Sequence, residues 1–252
     1  MQRTLDVIRY QVRAELQAEM DRAYFGLIWW ILEPVLYMLV FYVVFSMLFD
    51  RGGPDFVPFL LCGLVAWRWF DASVRGGASS ILLNGSLMNQ VYLPKLIFPA
   101  VTVIANTIKF FIILAILLLF LLFYGIEPSV SWLALPILVA VQFLVVLVVS
   151  CFLALLVPFF PDLNILITNA MTLLLFLSGV FFSIYDLPEK AHFWFFMNPM
   201  AVLIAAYRDV LISHRWPNWL QLGWVMVGCL VFGALVLWLA KRYDRVYPKL
   251  VS

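Results

Sequence analysis

The chain has 252 residues, of which 65% are hydrophobic and only 12% are charged. Soluble domains carry charges on about a quarter of their residues, so this composition and the mean hydropathy of +1.04 exclude a soluble enzyme or binding module. The net charge of +2 is small, and the positions of the charges are more informative than their sum.

Six long apolar segments follow one another along the chain. Each is close to or above the ~18 apolar residues that a helix needs to cross the hydrocarbon core of a bilayer. The pattern predicts an all-α integral membrane protein with six transmembrane helices, in a single transmembrane domain over residues 1–252. We predict the spans at residues 26–49, 57–77, 97–123, 132–157, 165–182 and 218–240.

The basic residues in the flanks of these spans and in the loops between them are distributed unevenly between the two sides of the membrane. Six spans put both termini on one side, and that side receives ten Lys and Arg residues: Arg3, Arg9, Arg13, Arg22, Arg75, Lys95, Lys241, Arg242, Arg245 and Lys249. The other side receives four: Arg51, Lys190, Arg208 and Arg215. Because cytoplasmic loops are enriched in Lys and Arg, we place both termini in the cytoplasm.

The N-terminal segment, residues 1–24, predicts an amphipathic helix that covers residues 3–23. Its apolar side chains recur every three or four residues, as one face of a helix requires: Leu5, Ile8, Val12, Leu16 and Met20. Such a helix is able to lie in the headgroup region of the bilayer or to pack on a partner protein, and the pattern is compatible with both.

A polar stretch from Asn84 to Ala100 connects the second and third spans and contains Pro94 and Pro99. Its first part is long enough for about two helical turns, with Ser86 as the N-cap and an end before Pro94. We predict a short cytoplasmic helix with an apolar face suited to a groove in a partner protein, formed by Leu87, Val91 and Tyr92.

An external segment lies between the fifth and sixth spans. Its apolar part, His192 to Tyr207, is too short to cross a bilayer, and Pro199 interrupts it. We predict two short helices with a break near Asn198-Pro199. Because the segment is too apolar for water, it is expected to form a re-entrant helical hairpin over residues 187–212, shielded by the rest of the protein.

The chain lacks the motifs of the common energy-converting and hydrolytic sites. It has no GxxxxGK[ST] loop for nucleotide phosphates and no HExxH zinc motif. Its three cysteines lie far apart in apolar segments, which favours neither a metal site nor a disulfide framework. We therefore expect no catalytic residue, metal or cofactor in this chain, and a role in passage across the membrane.

Ionisable residues inside spans are the first candidates for function, because each costs ~2.5–3.5 kcal/mol at the bilayer centre. Here they are Glu33, Arg68, Asp71 and Lys109. One interpretation is structural: Arg68 pairs with Asp71, three residues away, and Lys109 snorkels or meets Glu33. The other is that they line a passage for an anionic or sugar cargo.

Aromatic residues make up 17% of the chain. In the first span, four of them fall on roughly one helical face: Trp30, Tyr37, Phe41 and Phe45. Aromatic faces stack on the C–H faces of sugar rings, which suits a sliding polymer. Interfacial belts and ordinary packing are the alternative explanation.

The order of these features resembles the six-span permeases of type-two ABC exporters, especially the branch that exports O-antigen and capsular polysaccharide. The resemblance covers nearly the whole chain, in blocks at residues 25–49, 60–99 and 176–212. It includes the G-L-x-x-W start at Gly26, the Leu93-Pro94-Lys95 turn, the N-P-M motif at Asn198 and the Y-R-D motif at Tyr207. One departure is Ser178-Gly179-Val180, where members often have Ser-Pro-Val.

This resemblance implies a homodimer of permeases with two copies of a separate ATP-hydrolysing subunit, which binds ATP and Mg²⁺. The cargo is a lipid-pyrophosphate-linked glycan that crosses the bacterial inner membrane. Nucleic acid is not an expected partner. A permease for teichoic acid, a drug or another lipid is the alternative, and a membrane enzyme acting on lipid-linked sugars is a remote one.

The resemblance also assigns candidate site residues. The coupling helix that contacts the ATPase corresponds to Ser86, Leu87, Asn89, Gln90, Val91, Tyr92, Leu93, Pro94 and Lys95. The channel-lining candidates are Trp30, Glu33, Tyr37, Phe41, Phe45, Arg68, Asp71 and Lys109. The candidates for an external gate are Phe193, Trp194, Phe196, Asn198, Pro199 and Arg208.

Overall fold

The computed structural model describes residues 2–22, 27–43, 56–85, 88, 93–186, 188–243 and 247. All regular secondary structure in these residues is helical, which confirms the predicted all-α class. The α-helices are α1 Gln2–Arg22, α2 Leu27–Tyr42, α3 Phe56–Leu83, α4 Ile97–Tyr124, α5 Leu135–Leu156, α6 Leu163–Leu177, α7 Glu189–Phe196, α8 Pro199–Leu211 and α9 Trp219–Tyr243. Two short 3-10 helices occupy Val130–Ala134 and Ile184–Asp186.

Four helical segments are long and apolar enough to cross a membrane: Phe56–Leu83, Ile97–Tyr124, Val130–Leu156 and Trp219–Tyr243. They correspond to the second, third, fourth and sixth predicted spans. The second differs in extent, because α3 continues to Leu83 instead of ending at residue 77. Arg75, expected in the cytoplasmic flank, therefore lies inside the helix.

The first and fifth predicted spans correspond to shorter helices. The described part of the first is the 16-residue helix α2, and residues 44–49 lie outside the described residues. The fifth, α6, has 15 residues and ends at Leu177 rather than at residue 182. The physical reason is Gly179, whose φ of 71° is left-handed and stops the helix. The six-span arrangement thus stays a prediction.

Helix α3 forms the centre of the bundle and packs against α4, α5 and α8. Buried polar side chains join α5 to the α3 backbone: Gln142 Nε2 donates to the Ala66 carbonyl at 2.8 Å, and Ser150 Oγ donates to that of Ser73 at 3.1 Å. Gly77 permits this approach, because a Cβ there would lie 2.7 Å from the Cβ of Ser150. Small residues at helix interfaces serve the same purpose in membrane proteins generally.

The amphipathic helix α1 packs on α4 of its own chain. Val12 is buried against Ile97, Val101 and Ala105, while charged residues of the opposite face, such as Arg9, are exposed. The described part of the apolar stripe, at Ile8, Val12 and Leu16, therefore packs on α4. The two surroundings that the sequence left open, the headgroup region and a partner protein, stay predictions.

Candidate functional site

A row of polar side chains on α3 faces a second row on α6. Each row has residues four apart, which places them on one helical face; the rows are Asp71, Arg75 and Ser79, and Asn164, Thr168 and Thr172. We call these six residues the polar face. Ser79 Oγ donates to Asn164 Oδ1 at 3.1 Å, and Arg75 Nη2 lies 3.5 Å from Thr172 Oγ1. The contacts run antiparallel along the two helices.

An ion pair lies within the polar face. Arg75 Nε donates to Asp71 Oδ1 at 2.7 Å, and the side chains are 32% and 27% exposed. Thr168 and Thr172 are exposed although each hydroxyl also donates to the backbone one turn earlier, at 2.8 and 3.1 Å. Charges and hydroxyls within a membrane segment normally face a protein interior or a water-filled passage. The polar face therefore suits contact with water or a hydroxyl-rich solute.

The Arg75–Asp71 pair corrects the predicted pairing of Asp71 with Arg68. An i,i+4 spacing aligns the two side chains, and because α3 continues to Leu83, Arg75 is not in its last turn. The sequence contained this signal as Asp71-x-x-x-Arg75, but the prediction counted Arg75 with the cytoplasmic flank of a span that ends at residue 77. The α6 row was missed because hydroxyl and amide residues hardly lower the apolar signal of that segment.

Lys109 pairs with a residue that the sequence did not suggest. Its Nζ lies 2.9 Å from both carboxylate oxygens of Glu19 on α1. The suggested contact with Glu33 stays a prediction, because the Glu33 side chain lies outside the described residues. The same ammonium group lies 5.9 Å from the ring centre of Trp30. Trp30, Arg68 and Lys109 line one small cavity, so the structure brings three channel-lining candidates together.

The rest of the aromatic stripe in the first span is not described. The side chains of Glu33, Tyr37 and Phe41 lie outside the described residues, although their backbone belongs to α2, and Phe45 lies outside them entirely. Their role in lining a channel stays a prediction.

Most of the coupling stretch also lies outside the described residues, namely Ser86, Leu87, Asn89, Gln90, Val91 and Tyr92. Met88 N donates to the Asn84 carbonyl at 3.2 Å, the spacing of a helical turn. The Met88 side chain is buried in a cluster that includes Ile81 of α3, Phe98 of α4 and Leu155 of α5. A displacement of this stretch would therefore be transmitted to three helices.

The C-terminal end of the coupling stretch is held by contacts within the protein. Pro94 is exposed, but Lys95, predicted at the membrane interface, is only 2% exposed and its Nζ donates to the Leu93 carbonyl at 3.2 Å. Leu93 packs partly against both the Met88 cluster and the α1–α4 contact. A role of these residues in coupling stays a prediction, and an internal packing role now stands beside it.

A cleft of about 930 Å³ lies beside this stretch, between α1, α3 and α4. Tyr10 and Glu15 line it from α1, and Asn84 and Leu93 line it from the other side. Burial raises the pKa of Glu15, opposed in part by a hydrogen bond with Thr102. One wall of the cleft therefore carries a carboxyl group whose ionisation is disfavoured by burial.

The external segment forms two helices that break at Asn198-Pro199, as predicted. Asn198 Oδ1 accepts a hydrogen bond from Met200 N at 3.0 Å and caps α8, and its Nδ2 donates to Ser178 Oγ at 2.8 Å. Pro199 takes the first helical position, where its missing N–H costs nothing. Whether the hairpin enters the membrane is a separate question, and its re-entrant position stays a prediction.

Arg208 fixes the second of these helices in place. The side chain is 7% exposed. It donates to the carbonyls of Val180, Gly179 and Phe59 at 2.6, 2.7 and 3.0 Å, and it lies 3.4 Å from the centre of the Phe59 ring. Arg208 therefore joins α8 to the turn after α6 and to the start of α3.

The remaining gate candidates lie on α7. Phe193 and Trp194 are 68% and 72% exposed, whereas Phe196 packs near Tyr185 and His192 at ring distances of 5.8 and 6.2 Å. The six gate candidates thus divide into two exposed aromatic residues and four residues that make contacts within the protein. Within the described residues, no group of three or more His, Cys, Asp or Glu side chains is arranged to hold a metal ion.

Comparison with known proteins gives consistent matches. The model of the ABC-2 type transporter family matches residues 8–212. The chain is similar to the O-antigen export system permease protein RfbA of Myxococcus xanthus, with 30% identity over 209 residues that cover 82% of this chain and 80% of that protein. Two proteins of the same name from Klebsiella pneumoniae are 25% and 24% identical, over 82% of this chain and 81% of each of them.

Proposed function

Because the chain belongs to the ABC-2 type transporter family, we propose that it is the transmembrane subunit of an ABC exporter for a lipid-linked, O-antigen-type polysaccharide. The observation that carries the proposal is its similarity, over 82% of its length, to permeases named for O-antigen export. The polar face supports it, because hydroxyl and amide groups with one balanced ion pair suit a hydrated glycan. The exporter acts in the bacterial inner membrane, with both termini of the permease in the cytoplasm.

The working unit is a homodimer of six-span permeases bound to two ATP-hydrolysing subunits. Six helices rarely enclose a passage wide enough for a hexose chain, whereas twelve are able to. The outward side of α6 supports a second copy, since Ile165 and Leu173 are 67% and 65% exposed on the helix that carries half of the polar face. The ATP and Mg²⁺ sites belong to the partner subunit.

Mechanical coupling starts at the cytoplasmic stretch of residues 84–95 and at α1. The buried Met88 and the partly buried Leu93 side chains connect this stretch to α3, α4 and α5. ATP-driven closure of the partner subunits is therefore expected to move the cytoplasmic ends of these helices. The passage along the polar face widens as a result, and the external hairpin closes it at the other end.

The test is export in a strain that lacks the chromosomal copy of this gene, with the chain and its ATPase partner supplied together. Export of surface glycan and co-purification of an active ATPase complex are the expected results. A complex that hydrolyses ATP while lipid-linked glycan accumulates in the cytoplasm would contradict this cargo. Failure to form any ATPase complex would contradict the permease assignment to this partner.

A further inference from the structure

A small cavity between α2, α3 and α4 has a volume of about 150 Å³. Its polar lining is Arg68, Asn106 and Lys109, and its aromatic lining includes Trp30, Trp69 and Phe110. We call it the anion cavity. Its lining combines two cationic side chains with an amide and an indole N–H.

One of these donors is buried without an acceptor. Trp69 is 3% exposed, and its Nε1 finds no hydrogen-bond partner among the described residues. The ring itself is held by stacking on Phe110, with ring centres 4.1 Å apart. Leaving a buried donor unsatisfied costs free energy. Six buried side-chain polar atoms of the described residues have no partner, and Trp69 Nε1 is the one whose residue lines the anion cavity. A group bound in the cavity would supply the acceptor.

A carboxylate already occupies the edge of this region. Glu19 of α1 holds the Lys109 ammonium through both oxygens at 2.9 Å. Glu19 is 42% exposed, whereas Lys109 is 21% exposed. An incoming anion would compete with Glu19 for Lys109, and Glu19 is the more exposed member of the pair.

The depth of the anion cavity suits a solute in transit. Lys109 lies about 18 Å along α4 from Ile97, and Arg68 lies about 18 Å along α3 from Phe56, at 1.5 Å per residue. The two helices run in opposite directions in the proposed topology, so both distances place the cavity near the middle of a hydrocarbon core ~30 Å thick. An anion that reaches this depth must travel through the protein.

The volume admits a group of this kind. A cavity needs ~10–15 Å³ of such volume to hold one water molecule, so 150 Å³ leaves room for a tetrahedral oxyanion. Cationic and N–H donors are the partners that phosphate oxygens prefer. The chemistry and the size therefore agree.

We propose that the anion cavity binds a phosphate group of the lipid-linked cargo as it crosses the membrane, with Lys109, Arg68, Asn106 and Trp69 Nε1 as donors. The proposal rests on the proposed function and names the part of the cargo that this chain recognises. Binding displaces Glu19 from Lys109, so α1 loses a contact with α4 when the cavity is loaded. Phosphate esters reach the cavity either from cargo or from membrane phospholipid, and we assign the site to cargo.

The test measures lipid binding by the purified complex of permease and ATPase partner in nanodiscs, without ATP, by native mass spectrometry. The probes are a polyprenyl pyrophosphate, the matching polyprenol without phosphate, and phosphatidylglycerol. We expect the pyrophosphate to bind at least ten-fold more tightly than the other two. Equal binding of polyprenol overturns the phosphate assignment, and equal binding of phosphatidylglycerol overturns the assignment to cargo.

The variants are expected to change pyrophosphate binding in opposite directions. Lys109→Gln is expected to weaken pyrophosphate binding at least ten-fold, and Trp69→Phe, which keeps the ring stack, several-fold. Glu19→Gln removes the competing carboxylate and is expected to tighten binding several-fold. Lys241→Gln, at the exposed end of α9, is the matched control and should leave binding unchanged.

A purely structural Lys109–Glu19 pair predicts that both variants lower the thermal midpoint and that neither changes affinity, which would overturn the proposal. If Lys109→Gln does not fold, the exposed variant Glu19→Gln still tests the proposal. Unchanged or weaker pyrophosphate binding by that variant would contradict competition between Glu19 and the phosphate for Lys109. The proposed function is tested separately by export. If the variants change pyrophosphate binding as expected but no glycan is exported, the exporter function is refuted. If glycan is exported but binding does not change in these directions, the phosphate site is refuted.

Discussion

Arg208 is the most constrained polar side chain that the structure describes on the external side, and its removal should release the hairpin. Three of its hydrogen bonds, to Val180, Gly179 and Phe59, are 3.0 Å or shorter. Hydrogen bonds in membrane proteins average ~0.6 kcal/mol each, while those of charged groups in soluble proteins contribute ~1.5 kcal/mol or more. Arg208→Met should therefore lower the free energy of unfolding by about 2–5 kcal/mol.

Arg208→Lys distinguishes the contribution of the positive charge to stability from that of the hydrogen-bond geometry. An ammonium group keeps the positive charge but donates from a single atom, whereas the guanidinium presents donors in a planar fork. The acceptors lie on α3 and on the turn after α6, so one ammonium group does not reach all of them well. We expect Lys to recover less than half of the loss caused by Met.

The assay is unfolding in mixed micelles with increasing dodecyl sulfate, combined with hydrogen exchange of residues 189–211. Faster exchange confined to α7 and α8 would show that the hairpin detaches before the bundle unfolds. Lys190→Met, which removes an exposed charge from α7, is the control. If Arg208→Met matches that control in both measurements, the hydrogen bonds do not hold the hairpin and the reasoning is refuted.

Three further predictions concern single positions. Gly179→Pro should lower the thermal midpoint markedly, because proline requires φ near −65° and this residue has φ of 71°; an unchanged midpoint would show that the turn accepts proline. Asp71→Asn should slow glycan export by leaving Arg75 without its carboxylate, and adding Arg75→Gln should restore part of the rate; a double variant slower than Asp71→Asn would contradict charge balance as the cause. Glu15 has its pKa raised above the ordinary 4.5, so its contribution to stability is present below that value and is lost as the pH rises through the raised pKa. Glu15→Gln should therefore flatten the thermal midpoint between pH 4 and pH 8, and an unchanged slope would assign the dependence to another group.

Hydropathy predicted the helices whose limits depend on apolar composition alone. The second, third, fourth and sixth spans match helices of the structure, and the break at Asn198-Pro199 follows from the missing N–H of proline. The end of α6 was not predictable in the same way. Residues 178–182 are apolar enough to continue a span, and it is the left-handed backbone of Gly179, fixed by tertiary contacts with Arg208, that turns the chain.

Side-chain partners were harder to predict than helices. Depth in the membrane suggested Glu33 for Lys109. The partner that the structure describes, Glu19, comes from α1, whose course along α4 depends on packing of Val12 rather than on local sequence. Arg208 was a gate candidate because of the family resemblance, and that role stays a prediction. The acceptors of Arg208 are backbone carbonyls of two other elements, and a sequence does not indicate which backbone carbonyls will accept such hydrogen bonds.

The two ends of α6 are held to the protein with very different strength. At the C-terminal end, Arg208 and Asn198 bind the turn after Leu177 through several short hydrogen bonds. At the N-terminal end, the described polar contact with α3 is the single hydrogen bond from Ser79 to Asn164 at 3.1 Å, between neutral groups. Neutral pairs contribute less than charge-assisted ones. Among these polar contacts, separating α6 from α3 therefore costs least at the N-terminal end of α6, which is the cytoplasmic end in the proposed topology.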